Sequence, residues 1–317
     1  MISVAMATYN GERFIIQQLS SILNQSVSVD EVIICDDCST DSTVSLISDF
    51  IENNTLYNWR VIKNQENLGF SKNFFKAVNL CKGDYIFIAD QDDIWLEDKV
   101  KTIVNCFAND DTINLVSHNY FLIDSQNNFI NEKIPNYSNK DTNSFKNISI
   151  NDFIGASPIR GCSICFKKKI LTGMPTLELS NQLGHDWLIC IEALLGGKAI
   201  IIERKLMSYR IHEGNVSISN KKKKLSSSVY KRIYGIEEAI KAYQFLLNQD
   251  IDINYMKRIK KQIKFEKKRL LFMKNESYLS VIYLLFHITY YNKIYKYRYG
   301  GLRVFIGDIL YSYRYKV

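Results

Sequence analysis

The chain has 317 residues, of which 46% are hydrophobic, 13% aromatic and 23% charged, and only 3 are proline. This composition excludes a disordered chain and a collagen-like or mucin-like protein, and the length suits one large domain with an extension. No run of eighteen apolar residues occurs, which excludes an ordinary membrane-spanning helix.

Charge is divided unevenly along the chain, although the net charge is only +8. Residues 1–215 contain 19 basic and 26 acidic side chains, whereas residues 216–317 contain 22 basic and 7 acidic ones. Such asymmetry is typical of two regions that have different partners. We therefore predict one domain over residues 1–215 and a separate basic region over residues 216–317.

Strand and helix patterns alternate through the first third of the chain. Apolar runs predict strands at Ile2–Thr8, 32–35, Trp59–Lys63 and Tyr85–Ala89. Helices with one apolar face are predicted after residue 12, around residues 44–51, and over Ser71–Cys81 and Asp98–Phe107. This alternation is typical of an α/β fold, a mostly parallel sheet covered by helices on both faces.

The rest of the chain is less regular. After a strand at Leu115–Ile123, residues 124–151 are polar and predict a long loop or small subdomain. Further predicted elements are a strand at Ser163–Phe166, a buried helix at His185–Leu195 that ends at two glycines, and strand-like runs at 199–202 and 207–209. Four lysines at Lys221–Lys224 predict a solvated boundary, and helical patterns follow it.

Three polar loops follow predicted strands, at residues 9–12, 36–41 and 90–93. In parallel sheets, ligands bind beyond the carboxyl ends of the strands, where such loops meet. Asp90, Asp92 and Asp93 would repel one another unless a cation or basic groups offset their charge, and Mg²⁺ or Mn²⁺ prefers such oxygen ligands. The alternative is that some of these acids only favour a helix N-terminus, which suits Asp93 or Asp98 best.

Other sites are weakly supported. The chain contains no GxGxxG, GxxxxGK[ST] or GxSxG motif, so dinucleotide-dependent dehydrogenases, P-loop enzymes and α/β-hydrolases lose their main sequence signal. Two CxxC pairs, Cys35/Cys38 and Cys162/Cys165, leave a four-thiolate zinc site open. Because these cysteines lie in or beside apolar runs, small buried hydrophobic side chains are the simpler interpretation.

Four motifs in chain order resemble family 2 glycosyltransferases of the GT-A fold: Ser3–Gly11, Asp36–Asp41, Asn67–Phe70 and Asp90–Trp95. The resemblance extends to about residue 215. The DQDDIW sequence, with His-Asp-Trp at 185–187 and Tyr-Arg-Ile-His at 209–212, resembles a bacterial rhamnosyltransferase-like branch. That branch builds capsule, O-antigen and wall polysaccharides.

The resemblance implies roles for individual residues. Asp92 and His212 would bind a divalent cation, Mg²⁺ or Mn²⁺, and Asp186 would act as the general base. The remaining residues would contact the base, ribose and diphosphate of a nucleotide-sugar donor: Thr8, Tyr9, Asp37, Asp90 and Arg210. The segment 160–162 would line the acceptor side.

These roles imply an inverting transfer, in which one carboxylate deprotonates an acceptor hydroxyl and a nucleotide diphosphate leaves from the opposite face. The expected donor is dTDP-linked rhamnose first and a UDP-linked hexose second. Asp186 alone could equally cap the helix that follows it. A catalytically inactive GT-A scaffold within a polysaccharide assembly complex is the alternative function.

The expected acceptor is a lipid-linked saccharide. The basic, tyrosine-rich region after residue 215 predicts contact with an anionic membrane face or with a second copy of the chain, and not with nucleic acid, for which it has no motif. Because residues 1–9 lack a basic flank and an apolar signal core, we expect a cytoplasmic protein, peripheral on the inner face of the membrane.

Overall fold

The computed structural model describes residues 1–131, 138–153, 157–173, 184–215, 226–249, 253–274, 279–294 and 301–314. Two compact units take their described residues from different ranges. Of these residues, the first unit contains residues 1–131, 138–148, 159–173 and 184–212, and the second contains residues 149–153, 157–158 and the described residues from 213 onward. The boundary at residue 215 stays a prediction, because residues 216–225, including Lys221–Lys224, lie outside the described residues.

The first unit is built on a sheet to which nine strands of the described chain contribute. The strands are β1 (Ile2–Thr8), β2 (Glu31–Asp36), β3 (Trp59–Lys63), β4 (Tyr85–Ala89), β5 (Ile94–Trp95), β6 (Ile113–Ile123), β7 (Phe145–Ile148), β8 (Ile164–Lys167) and β9 (Lys198–Arg210). Their order is β3-β2-β1-β4-β8-β6-β9-β5, and β7 pairs with β9. Strands β1 to β4 are parallel, so the carboxyl ends of β1, β2 and β4 lie on the same side of the sheet, which we call the carboxyl edge.

Helices connect these strands; the first four bury one face each, whereas the fifth, predicted as a buried helix, is buried on most sides. They are α1 (Ile15–Leu23), α2 (Thr43–Asn53), α3 (Phe70–Leu80), α4 (Lys99–Asn109) and α5 (His185–Leu195). In α1, for example, Ile15, Leu19 and Ile22 are fully buried, which is the spacing of one helix face. The predicted α/β class is confirmed.

The second half of the sheet differs from the sequence-based expectation. The strand-like runs at 199–202 and 207–209 belong to the single strand β9, which pairs in parallel with β6 through three register irregularities. Strands β8, β5 and β7 are antiparallel to their neighbours. The sheet is therefore parallel over β1–β4 and mixed beyond it, and the polar stretch after residue 124 contains β7.

The second unit contains the predicted C-terminal helices. They are α6 (Ser226–Leu247), α7 (Ile253–Met273), α8 (Leu279–Phe286), α9 (Ile288–Ile294) and α10 (Gly301–Arg314). An aromatic and aliphatic cluster joins α7 to the last three helices: Phe265, Phe272, Leu284, Tyr291, Val304 and Phe305. Among the described residues, no helix combines the length and apolar character needed to cross a bilayer.

Candidate active site

The loops after β1 and β2 are tied together by Asp36. Thr8 and Asp36 face each other in the parallel register, and the Thr8 hydroxyl donates to Asp36 Oδ2 at 2.9 Å. The Ser39 amide donates to Asp36 Oδ1 at 2.8 Å. Asp36 and Thr8 are both buried, so they brace the carboxyl edge rather than face solvent. The predicted donor-site residue Thr8 thus lies at this edge.

Tyr9 and Gln91 join the loop after β1 to the loop after β4. The Tyr9 amide donates to Gln91 Oε1 at 2.8 Å, and Gln91 Nε2 donates to the Tyr9 carbonyl at 3.0 Å. A Cβ atom at Gly11 would collide with the Gln91 amide, so this clamp requires glycine there. The Tyr9 side chain remains half exposed at the carboxyl edge.

Asp37 organises the loop that leads into α3. Its Oδ1 accepts hydrogen bonds from Asn64 Nδ2 at 2.8 Å and from the Leu68 amide at 2.7 Å, and its Oδ2 accepts from the Gly69 amide at 2.8 Å. Gly69 has a φ of +80°, a conformation that favours glycine. Asp37 is only 3% exposed, and contact between its Oδ2 and a donor base stays a prediction.

Acidic side chains and a cysteine cluster at the end of β4. Ligand atoms of Asp90, Asp93 and Cys162 all lie within 4.8 Å of one another. Asp93 is buried; its Oδ1 accepts the Arg210 amide hydrogen at 3.1 Å, and its Oδ2 has no hydrogen-bond partner among the described residues. Burial, and next the charge of Asp92, raise the pKa of both Asp90 and Asp93 above the usual range.

Asp92 and His212 lie in contact although they are 120 positions apart in the sequence. His212 Nε2 lies 2.7 Å from Asp92 Oδ2, and each side chain is 14% exposed. The His212 ring also packs against Phe14, with ring centroids 4.9 Å apart. The structure therefore brings together the two residues that the sequence analysis assigned to the cation.

Part of this cluster suits a hard divalent cation. The group whose ligand atoms lie together, Asp90, Asp93 and Cys162, offers two carboxylates and one thiol, and Mg²⁺ and Mn²⁺ prefer the carboxylate oxygens. Burying carboxylates so close together is costly unless positive charge offsets them. The unpartnered Oδ2 of Asp93 is the buried acceptor that this argument requires. Asp90 is the carboxylate that lies with it, whereas Asp92 and His212 form a separate pair, and their part in holding the ion stays a prediction.

Arg210 lies behind this cluster and is fully buried. Its guanidinium donates to four protein acceptors: the Asp92 carbonyl at 2.7 Å, the Asp124 carbonyl at 3.1 Å, Asn127 Oδ1 at 2.5 Å and Gln17 Oε1 at 2.8 Å. The side chain thus supplies positive charge beside the carboxylates and fixes the backbone of Asp92. Direct contact between Arg210 and a diphosphate stays a prediction.

Asp186 is the second residue of α5 and is partly exposed. Its Oδ1 accepts the Trp187 amide hydrogen at 2.8 Å, so the residue does bind the first turn of its helix. A Cβ atom at Gly161 would lie 3.4 Å from Asp186 Cβ, so the segment 160–162 passes close to it. The charge of Asp186 also raises the pKa of Asp90, which places both carboxyl groups in one electrostatic environment.

Sequence reasoning missed Lys99. This side chain is fully buried; its Nζ donates to the Cys162 carbonyl at 3.1 Å and lies 3.8 Å from the Trp95 ring centroid. Burial lowers the pKa of Lys99 to about 8, against the raising effect of Cys162 and Asp93. The only available signal was a lysine in the first turn after the acidic motif, which is normally a solvated position.

Arg160 belongs to the segment 160–162 that the resemblance places on the acceptor side, but its contacts with two tyrosines were not predicted. Its Nε donates to the Tyr120 hydroxyl at 2.9 Å and its Nη1 donates to the Tyr209 hydroxyl at 3.3 Å. The guanidinium carbon lies 4.6 Å from the Tyr209 ring centroid. The positive charge of Arg160 lowers the pKa of Asp90, although burial and Asp92 raise it more.

The structure does not bring four cysteines together, as a four-thiolate zinc site would require, among the described residues. All seven cysteines are among the described residues and none is in a disulfide. Within the described part of the chain, Cys162 is the one cysteine that joins a group of potential ligands, and its neighbours there are the two aspartates. Cys35 and Cys165 are fully buried, as expected for small apolar side chains.

Comparison with known proteins identifies the family. A model of the glycosyl transferase family 2 matches residues 3–166, from β1 through β8. The chain belongs to glycosyl transferase family 2. The dTDP-rhamnosyl transferase RfbG of Shigella flexneri is 30% identical over 221 residues, which cover 66% of this chain and 72% of the relative. The UDP-Glc:alpha-D-GlcNAc-diphosphoundecaprenol beta-1,3-glucosyltransferase WfaP of Escherichia coli is 27% identical, over 74% of this chain and 86% of the relative.

Solved structures confirm the GT-A fold of this family 2 glycosyltransferase. S. aureus TarS 1–349 in complex with UDP-GlcNAc has a TM-score of 0.60 at 18% identity, covering 84% of this chain and 72% of that one. The mannosyltransferase PcManGT from Pyrobaculum calidifontis, in complex with GDP-Man and Mn²⁺, has a TM-score of 0.56 at 16% identity, covering 89% and 74%. The family match ends at Phe166, so the roles of Asp186, Arg210 and His212 rest on geometry and on the resemblance alone.

Proposed function

We propose that the protein is an inverting, metal-dependent glycosyltransferase. It transfers a sugar from a nucleotide diphosphate donor to a hydroxyl of a lipid-linked saccharide, in the synthesis of a cell-surface polysaccharide such as a capsule. The observation that carries the proposal is the group of acidic side chains at the carboxyl edge, with Asp92 2.7 Å from His212 and Asp93 Oδ2 buried without a partner among the described residues.

Donor recognition is assigned to the loops after β1 and β2. Asp37 holds the Asn67–Gly69 loop through two backbone amides, and its carboxylate is assigned to the imide N–H of uracil or thymine. The half-exposed Tyr9 ring offers a stacking surface for the base. Thr8, which is buried with its hydroxyl on Asp36, supports the loop beneath the base, and Asp90 is assigned to the ribose.

The departing diphosphate develops negative charge, which positive groups at the site must offset. A cation held by Asp92 and His212 would supply most of that charge when bound. Arg210 adds a fixed positive charge from behind, because its guanidinium is held on the Asp92 carbonyl. Holding these charges in place before the donor arrives avoids reorganisation during the reaction.

Asp186 is assigned the proton transfer. An acceptor hydroxyl is a poor nucleophile until a carboxylate within hydrogen-bond reach takes its proton. Asp186 is partly exposed and lies beside the segment 160–162, which is assigned to the acceptor side. One base acting on the face opposite the leaving group gives a single displacement with inversion.

The relatives support the choice of donor and acceptor. By its name, RfbG uses a dTDP-rhamnosyl donor, so dTDP-rhamnose is the first donor to test and a UDP-hexose the second. WfaP by its name acts on a diphosphoundecaprenol-linked sugar, which supports a lipid-linked acceptor for this chain. A lipid-linked acceptor would place the protein in the cytoplasm, peripheral on the inner face of the membrane.

A nucleotide-sugar panel tests the proposal. With Mn²⁺ present, we expect one dTDP- or UDP-linked sugar to raise the melting temperature more than the free nucleotide does. The same donor is then incubated with a lipid-linked acceptor, and the configuration of the new bond is read by NMR. Binding without transfer to any acceptor would favour the inactive scaffold, and absence of stabilisation by every donor would contradict a nucleotide-sugar enzyme.

A further inference from the structure

Two helices of the second unit carry apolar side chains on their outer faces as well as their inner ones. Leu284 of α8, and Val304 and Phe305 of α10, face the core cluster of the unit. The outer side chains are 47–83% exposed: Leu279, Ile282, Leu285 and Phe286 on α8, and Leu302, Ile306 and Leu310 on α10. We call these seven residues the outer apolar row.

The spacing of these residues produces a continuous strip on each helix. On α10, Leu302, Ile306 and Leu310 recur every fourth position, which puts them on one line along the helix. A helix that is apolar on all sides is normally covered by another structure. An exposed apolar strip of this length on a folded unit marks an interaction surface.

In the described helices of this unit, the acidic side chains are paired internally and the exposed charges are basic. Every acidic side chain described in α6–α10 forms an ion pair inside the unit. These pairs are Lys274–Glu237, Lys241–Glu238, Arg269–Glu266 and the contacts of Arg232 and Arg269 with the fully buried Asp308. The negative charges described in these five helices are therefore neutralised within the unit and contribute little to the potential outside the helices.

The exposed charges of these helices are basic. On α7, the exposed charged positions are Lys257, Arg258, Lys260, Lys261, Lys264 and Lys267. On α10, Arg303 is exposed beside Leu302 in the outer apolar row. The described helices of this unit thus expose large apolar side chains on α8 and α10 and basic side chains on α7 and α10.

We propose that the outer apolar row docks on an anionic lipid bilayer. Apolar side chains enter the boundary between headgroups and acyl chains, and clustered Lys and Arg side chains bind anionic headgroups. A second copy of the chain is the weaker occupant, because it would bring two positively charged surfaces together. Docking rests on the proposed function in one respect: a lipid-linked acceptor is presented at a bilayer.

Vesicle flotation of the full chain tests this surface without donor or acceptor. We expect binding to vesicles of phosphatidylcholine mixed with phosphatidylglycerol, and weak binding to phosphatidylcholine alone. The variant L302N/I306N/L310N should bind the mixed vesicles about a hundredfold more weakly. Tyr57→Asn is the matched control, because Tyr57 is 87% exposed in the first unit, and it should bind like the unchanged chain.

A charge variant tests the second half of the surface. K260Q/K261Q/K264Q should weaken binding to the mixed vesicles by about tenfold or more, whereas K82Q/K101Q/K146Q removes three exposed lysines of the first unit and should not. Equal binding to both vesicle types would overturn the proposal. Unchanged vesicle binding by the α10 variant would also overturn it. That result would show that charge alone attracts the chain to the vesicles, and a nucleic acid would then bind in the same way.

Light scattering separates membrane docking from self-association. A stable dimer that the α10 substitutions dissociate, without vesicle binding, would overturn the proposal. Nucleotide and Mn²⁺ binding by the α10 variant, measured by calorimetry, should equal that of the unchanged chain and shows that the first unit is folded. An unchanged helical circular dichroism spectrum shows the same for the second unit. Failure to dock with intact donor binding and transfer refutes this surface alone, and docking without transfer refutes the proposed activity alone.

Discussion

His212 Nε2 lies 2.7 Å from Asp92 Oδ2, although 120 positions separate the two residues. The contact joins the loop after β4, which contains Asp92, to the segment after β9, which contains His212. The charge of Asp92 also acts on Asp90 and Asp93, so the pair lies in the same electrostatic environment as those two buried carboxyl groups, and we propose that a divalent cation binds there. The account of the site depends on this arrangement.

Substituting His212 should weaken cation binding. We expect His212→Ala to raise the dissociation constant for Mn²⁺ about tenfold to a hundredfold in the presence of a nucleotide diphosphate, because one candidate ligand is lost. Calorimetric titration with Mn²⁺ measures this directly. His287→Ala is the matched control, since His287 lies in the second unit, and an equal effect of both substitutions would contradict the assignment of His212.

Removing the charge of Asp186 should stop turnover without preventing donor binding. We expect Asp186→Asn to lower kcat about 10²–10⁴-fold, because the amide cannot accept a proton from the acceptor hydroxyl. The donor dissociation constant should change less than twofold. Near-normal turnover would reassign the base, and Asp49→Asn, an exposed change on α2, controls for loss of one negative charge.

Asp37 should affect donor affinity through the loop it holds. Asp37→Asn replaces one acceptor oxygen by an NH₂ group, which only donates hydrogen bonds. One of the two backbone amides, Leu68 or Gly69, therefore loses its acceptor. Loss of a hydrogen bond to a charged group predicts a donor dissociation constant about tenfold to a hundredfold higher. Unchanged nucleotide affinity by calorimetry would show that this loop does not contribute to the donor site.

Glu192 should make folding stability depend on pH. Its Oε1 has no hydrogen-bond partner among the described residues, and burial raises the pKa of Glu192 to about 7. Between its ordinary pKa and this value, the folded state holds a proton that the unfolded state releases. The free energy of unfolding should therefore fall as the pH rises through this window, by up to about 1.4 kcal/mol per pH unit.

Urea unfolding at several pH values measures this contribution. Glu192→Gln removes the titrating group, so its stability relative to the unchanged chain should increase from about pH 4 to about pH 7. Glu52→Gln, an exposed change on α2, should follow the unchanged chain at every pH. A constant difference between Glu192→Gln and the unchanged chain would contradict the assignment.

Local patterns were sufficient to predict half of the sheet. Strands β3 and β4 and helix α5 begin and end at the predicted residues, because apolar periodicity and flanking glycines are local signals. The antiparallel strands β7 and β8 were not predictable as sheet partners, since their pairing depends on contacts with residues far along the chain. The same applies to β9, whose single long strand is determined by β6.

The candidate site shows a similar division. The acidic loops could be predicted to meet, because parallel strands end at one edge. The different environments of Asp92 and Asp93 could not, since both follow β4 within a few residues. The burial of Lys99 and the internal hydrogen bonds of Arg210 were also unpredictable, because basic side chains are ordinarily solvated and only tertiary packing removes them from water.

The most direct measurement of the central claim is anomalous diffraction from crystals grown with Mn²⁺ and a nucleotide diphosphate. We predict one strong anomalous peak within coordination distance of Asp92, next to His212, with the diphosphate on the same ion. The peak should be absent in crystals of Asp92→Ala grown in the same solution. A diphosphate bound without a peak, or a peak that does not touch Asp92, would contradict the account.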